Sequence, residues 1–533
     1  MDARWWSIVG GALLLAGQAQ SQLVPELEDQ KLKGPDAPMG GVFGSSVAAQ
    51  GDELFVGAPG ANAPLEDSGA VHVFHWTGTT WLQTQLLSAS DAGTFDLQGT
   101  DVDVDGDTLV VGSEWHDHIL NNQGMAFAYR KQGGIWVEEQ HLFPNDPDVI
   151  EGYGHLVALS GDRAFVLGYF DATKSLDGQA AIYVFQHTPG GWIDAGRIVL
   201  EGLTKLTTSL DSLAAWGNLV ALGSSKGHPD FTFDPGNVRV YELMDGVWSL
   251  QATLAAEDGT PHDSFGFDLV FQGERLVVGS PKHDVTPNGD EGAIFVYRRE
   301  GARWVPEPVD PVSLPSKSLL GNSVALDGSL LLAGAPGSEP GGLGAGFVFR
   351  WTGTAWSAVN RLVASDQVVG DSFGSGSALS GPMAIVSSPG DWTGSSLFNP
   401  HGSAYTFDTL PPGWRFRGGS VAGVQGHPSL TATGPLGGGG LVTMRLEQAA
   451  PLAPVVIVIG FSGLLAPFKG GVLVPHPDVL VTGLLTNAEG VLSISATWPA
   501  LPSGTMVDFQ EWIVDAAAFA GLAAGNGVQA RVP

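Results

Sequence analysis

The chain has 533 residues, is 43% hydrophobic and 15% charged, and sets 55 acidic against 24 basic residues for a formal net charge of -31. That charge repels phosphate backbones and anionic lipid headgroups, which argues against a nucleic-acid partner, while the apolar content suffices for more than one core. Cysteine is absent, so no disulfide staples the fold and stability has to come from burial.

Arg4, an apolar run from Ile8 to Ala16 and the small residues Gly17-Gln18-Ala19 read as a secretory signal over residues 1–21. The run is too short to cross a bilayer, and no later stretch supplies a membrane span. A secreted or cell-surface location is expected.

From Phe43 to Asp408 one pattern of about fifty-five residues recurs seven times. Its first copy reads Phe43-Gly44-Ser45-Ser46-Val47, then Gly51-Asp52, then Leu54-Phe55-Val56-Gly57-Ala58-Pro59. Later copies open at Phe95, Tyr153-Gly154, Ser209-Leu210, Phe265-Gly266, Leu320-Gly321 and Phe373-Gly374. Ser46 to Gln50 and Glu53 to Gly57 flank a tight Gly-Asp turn and predict a hairpin. Ala70 to Phe74 predicts a third strand and Trp81 to Leu87 a fourth, so each copy reads as one blade of a β-propeller.

Trp81, Trp136, Trp192, Trp248, Trp304 and Trp356 mark the fourth strands at nearly even spacing, and the recurrence favours a packing role. The seventh copy ends at Tyr405-Thr406-Phe407 without a fourth strand. Glu26 to Asp36 aligns with the fourth strands Trp81 to Asp91 and Trp356 to Asp366 by its leucine and final aspartate. This predicts that the N-terminal strand completes the last blade and closes the ring, leaving no sheet edge open.

Beyond Pro411-Pro412-Gly413 the repeat stops. Leu441 to Leu446, Val455 to Ile459, Gly471 to Val474, Val491 to Ala496 and Val507 to Val514 read as short strands of a β-sandwich, with one helical turn within the alanine-rich Asp515 to Ala524. The expected organisation is all-β: a signal over 1–21, a seven-bladed propeller over 22–408 and a sandwich over 409–533.

The Phe-Gly openings together with Gly57-Ala58-Pro59, Gly279-Ser280-Pro281, Gly334-Ala335-Pro336 and Ser388-Pro389 resemble the FG-GAP repeats of integrin α-subunit propellers and their bacterial secreted relatives. The resemblance implies an extracellular propeller that recognises proteins or surface ligands. Integrin-type repeats often carry an Asp-rich calcium loop, which here is mostly a short turn such as Gly51-Asp52 or Gly161-Asp162. Asp101, Asp103, Asp105 and Asp107 in the second copy are the exception and leave calcium as an alternative. Aligned with the first copy, Asp103 and Asp105 fall on Ala48 and Gln50, which favours solvent-facing acids on a strand.

Loops after the second strands should share one rim and form the candidate binding face: Glu66, Asp67, Glu114, Trp115, Asp117, Asp171, Asp177, Asp230, Asp234, Asp284, Asp290, Glu291, Asp391 and Trp392. His116 and His118 are a weak metal pair with no third ligand nearby, otherwise exposed loop residues. No nucleophile elbow, zinc-protease motif or phosphate loop is present. The reading is a monomeric, non-enzymatic binding or adhesion-type protein for a protein, cell-surface or glycan ligand. A hydrolase with its site in the propeller funnel and an envelope or matrix component are the alternatives.

Overall fold

The computed structural model describes residues 23–34, 41–117, 122–145, 149–170, 179–204, 209–226, 235–287, 289–338, 342–391 and 401–533. The signal reading over 1–21 lies outside them. The described elements are strands, apart from one 3₁₀ turn at Phe519–Gly521 within the alanine-rich stretch.

The repeats become successive four-stranded antiparallel sheets. In unit one, Val47–Gln50, Glu53–Ala58, Ala70–Trp76 and Trp81–Leu87 lie side by side in chain order. Units two to six repeat this between residues 98 and 363, with Val149–Glu151 added to unit three. Unit seven takes three strands from Gly376–Ser380, Met383–Ser388 and Ser403–Asp408; its fourth is Gln30–Leu32, antiparallel to Ser403–Asp408 with Lys31 opposite Tyr405. Pro25–Leu27 meanwhile runs parallel to Trp356–Val363 of unit six. The first strand of each unit touches that of the next, and the first strand of unit seven touches that of unit one.

The Gly-Ala-Pro and Phe-Gly glycines exist for each other. A Cβ on Gly57 would stand 2.2 Å from the Gly99 carbonyl oxygen of unit two, and one on Gly279 would stand 2.0 Å from that of Gly321 in unit six. The second partner, at φ near +90° (Gly99 +91°, Gly321 +88°), turns its carbonyl into this gap. Side chains at either place would push adjacent units apart.

This contact also resets the register of unit two. Gly99, not a residue beside Phe95, matches Gly44, so Gln98 occupies the place of Phe43 and the opening read at Phe95 is three residues early. Phe95 is 48% exposed and Gln98 fully buried. The glutamine amide is satisfied there, donating to Tyr129 Oη at 2.7 Å and accepting from Ala89 N–H at 2.7 Å. In units one and seven the corresponding aromatics, Phe43 and Phe373, instead pack edge-on against Phe74 and Phe407.

The periodic tryptophans pack between units: Trp81, Trp136, Trp192 and Trp356 are buried, Trp248 and Trp304 half-buried. Each large ring removes on the order of 150–250 Å² from water.

After Asp408 the chain forms a six-stranded sheet from Trp414–Gly418, Gly527–Arg531, Met506–Val514, Pro454–Gly460 and Val479–Leu485, with Leu522–Ala524 on Met506–Val514. A three-stranded sheet of Ser429–Thr433, Leu441–Glu447 and Leu492–Thr497 accompanies it, as does a hairpin of Gly463–Phe468 and Gly471–Pro475. Apolar residues of both sheets share a cluster that continues through Trp414 and Phe416 to Trp81 of unit one. The module is therefore docked. Trp76 lies 5.8 Å from Phe416, Asp52 Oδ2 accepts the Gly419 N–H at 2.7 Å, and Ser329 donates its N–H and hydroxyl to Glu447.

Candidate functional site

The first strands surround a channel of about 780 Å³. Its wall carries Asp101, Asp103, Asp105, Asp268 and Asp327, all half-buried. None is a free solvent-facing acid, and the second-copy aspartates do not converge on a common point. Asp101 accepts the Val157 N–H at 2.8 Å, Asp103 the Leu159 N–H at 2.7 Å and Asp105 the Gly161 N–H at 2.6 Å, each in unit three. Asp268 does the same for Val324 at 2.7 Å. Asp107 sits exposed on the hairpin turn. The strand alternation that placed Asp103 on Ala48 holds, but what lies beyond these strands is the neighbouring unit, whose backbone donors fill the carboxylates. Desolvation raises Asp101 to about 6 and Asp103, Asp268 and Asp327 to about 7, against the opposing backbone hydrogen bonds.

The last residue of the first strand carries the same device from unit to unit. Gln50 accepts from Gly106, Asp105 from Gly161, Ser160 from Gly217, Gln272 from Gly328 and Asp327 from Gly381, while Ser380 donates to the Gly51 carbonyl. Six junctions, including that between units seven and one, thus bear a side-chain bond to the glycine of the next hairpin turn. At the seventh place Trp216 stands in the channel wall instead. Sequence reading missed this; the signal was a polar residue immediately before a Gly turn, in six of the seven repeats. At this end of the channel the 424–427 loop and Gln448 of the C-terminal module complete the lining.

The opposite rim holds the loops after the second strands. Successive units interlock there: Phe95 and Leu97 donate their N–H groups to the carbonyls of Glu66 and Asp67. Glu66, Trp115 and Asp117 are exposed, and Asp67, Glu114, Asp284 and Asp290 half-buried. Glu291 and Asp391 are buried, which removes them from the expected binding face. Glu291 folds back to accept from Val285 and Thr286 within its own loop. Asp391 accepts from Ser403 and pairs with Lys31. His118, Asp171, Asp177, Asp230, Asp234 and Trp392 lie outside the described residues.

His116 is likewise not an exposed loop residue. It is buried, with Nδ1 2.8 Å from Asp96 Oδ2 and its ring edge-on to Phe127. Burial works against the charged ring, yet Asp96, with Asp91 and Asp117, outweighs it and lifts the His116 pKa. Unit five repeats the arrangement with His283 2.9 Å from Asp263 and edge-on to Phe295. The sequence signal is an Asp two places before the opening residue and a His twenty places on. Unit seven has Asp371 and Asp391 at those positions, and the cation comes from Lys31. Among the described residues no group of three or more His, Cys, Asp or Glu is placed to hold a metal ion.

Residues 27–74, 81–129, 248–297 and 356–407 match the FG-GAP repeat model. The chain therefore carries FG-GAP repeats. No curated protein matches it in sequence. Similar solved structures include an exo-β-1,3-galactanase from Phanerochaete chrysosporium, 11% identical over 80% of this chain and 94% of that one, with a TM-score of 0.29. Sqt1 from Chaetomium thermophilum is 15% identical over 75% of this chain and 97% of its own, with a TM-score of 0.37. Likeness so remote carries no argument about activity or partners.

Proposed function

We propose that the chain is an exported, non-enzymatic recognition protein: a closed seven-bladed propeller that presents its loop rim to a basic protein or surface ligand, with a C-terminal sandwich that seals the other end. The carrying observation is the asymmetry of the two ends. One is covered by the module through Gly419, Glu447 and Gln448. The other leaves Glu66, Trp115 and Asp117 exposed on interlocked loops. Rigid loops with exposed acids and an aromatic suit recognition of a cationic surface. Closure is supported by the antiparallel pairing of Gln30–Leu32 with Ser403–Asp408 and by the contact of the first strands of units seven and one. The channel carboxylates, already accepting backbone hydrogen bonds, favour scaffolding over hydrolysis. Export rests on the charge pattern of residues 1–21.

The test is binding of the full mature chain to arrays of glycans and envelope proteins, alongside the double variant Glu66→Lys and Asp117→Lys. Loss of binding in the variant, with melting unchanged, supports the rim. Undiminished binding would move recognition elsewhere on the molecule.

A further inference from the structure

In a chain with only 24 basic residues, two arginines share one cleft where unit six meets the C-terminal module. Arg350 belongs to the strand Ala345–Trp351 and Arg445 to Leu441–Glu447. The cleft holds about 270 Å³, and Trp351, Thr431, Thr433 and Thr443 also line it. Thr431 pairs with Arg445 and Thr433 with Thr443, so these four side chains rise from one face of the sheet.

The charges in the cleft do not cancel. Glu447 Oε1 accepts from Arg445 Nε at 2.9 Å, and its Oε2 accepts from Ser329. That carboxylate is fully engaged. Arg350 is half-buried and makes no side-chain hydrogen bond or ion pair among the described residues, although it feels both Glu447 and Arg445. Burial lowers its pKa, Glu447 opposes this and Arg445 adds to it. Two guanidinium groups thus face one carboxylate, and a desolvated guanidinium without a partner is costly unless an anion completes it. Trp351 is held beside them, 5.6 Å from Trp356, with the Arg275 guanidinium 5.4 Å from its ring.

We propose that this cleft binds an acidic sugar, a single ring bearing a carboxylate or sulfate group. The Arg350 fork matches the planar or trigonal oxygens of the acid group. Thr431 and Thr443 already bond the Arg445 carbonyl and Ser495, which leaves Thr433, whose hydroxyl can both donate to and accept from a sugar hydroxyl, and the indole offers an apolar edge. The volume is at the small end for ligand pockets, about 300 Å³, and fits one ring rather than a chain. The site is separate from the acidic rim, whose charge would repel the same ligand.

Titration calorimetry of the full mature chain with methyl glucuronide, a sulfated methyl galactoside, methyl glucoside and inorganic sulfate tests this. One acidic sugar should bind, and which one identifies the acid group; the neutral glucoside should bind at least about tenfold more weakly, the worth of one charged hydrogen bond. Arg350→Gln should lose about tenfold or more and Arg350→Lys recover part. Thr433→Val, which keeps shape and charge, should weaken the sugar while leaving sulfate unaffected. Equal binding of acidic and neutral sugars, no binding at millimolar concentration, or full affinity in Arg350→Gln would overturn the proposal. Sulfate binding as tightly as the sugars would overturn its sugar part.

Discussion

The ammonium of Lys31 lies 2.5 Å from Asp391 and 2.6 Å from Asp366, so a residue of the N-terminal strand neutralises carboxylates from units six and seven. The Asp391 side chain is only 6% exposed and also accepts from Ser403 and Tyr405. Removing the cation leaves that acid buried beside Asp366 and Asp371. Lys31→Ala should cost about 2–4 kcal/mol in denaturant unfolding, near the lower range for breaking a buried pair. A change under about 0.5 kcal/mol would mean that the Lys31 pairs add nothing net and that the strand is held by its backbone and by the side-chain bonds of Glu26, Glu28 and Gln30.

That strand was legible because Leu32 and the residues around it repeat the leucine spacing of Trp81–Leu87 and Trp356–Val363, where the same register of core contacts is needed. The tryptophans were legible for the same reason, since a large ring recurring at one period has to meet one packing site. Gln98 was not. A polar residue in an aromatic slot is identifiable only from its partner, Tyr129, which lies on another strand. The pairing of channel aspartates with backbone donors of the next unit was equally hidden, because a strand's alternation shows which residues share a face but not what stands opposite. Val479–Leu485 escaped prediction since it carries apolar residues on both faces, Val479, Leu480 and Leu485 being largely exposed, and so lacks the alternation that marks a half-buried strand.

Gln98 and Tyr129 should be energetically coupled. Gln98→Phe restores the residue found in units one, five and seven but strips the Tyr129 hydroxyl and the Ala89 N–H of a buried partner, at about 1–3 kcal/mol. Tyr129→Phe added to it should recover about half, because the Phe43 and Phe74 contact is thereby recreated. Additive losses across the four unfolding curves would show that the pair does not act together.

Stability should decline from mildly acidic to alkaline pH. Asp103 and its channel companions have folded pKa values raised to about 6 to 7, so their contribution is full below the unfolded value near 4 and lost as pH rises through that range. His116, also raised, loses its Asp96 attraction in the same direction. Asp96 and Asp366, held low, stabilise the fold above the unfolded value near 4 and lose that contribution as pH falls below it. The melting temperature should therefore peak near about pH 4. Asp103→Asn keeps an acceptor for Leu159 and should flatten the fall between pH 5 and 8, on the order of 1 kcal/mol once discounted for the side facing the channel. An unchanged slope would place the pH dependence elsewhere.

Glu511 offers a sharper case in the C-terminal module. It is 1% exposed on Met506–Val514, opposite Ile457, and its Oε2 has no hydrogen-bond partner among the described residues. Desolvation alone pushes its pKa up to about 8. Folding at neutral pH therefore takes up a proton, and the stability present below the unfolded value near 4 drains away as pH climbs through 8. Leucine at this position has similar bulk and no polar atom to bury beside Leu446 and Leu430. Glu511→Leu should raise stability by about 2–4 kcal/mol at pH 8 and by much less at pH 4.5, where the folded carboxyl is neutral and the unfolded one only about half ionised. Melting curves at the two pH values decide it, since a pH-independent gain would reflect packing only, and a loss at pH 8 would mean that the carboxylate has a bound partner in solution.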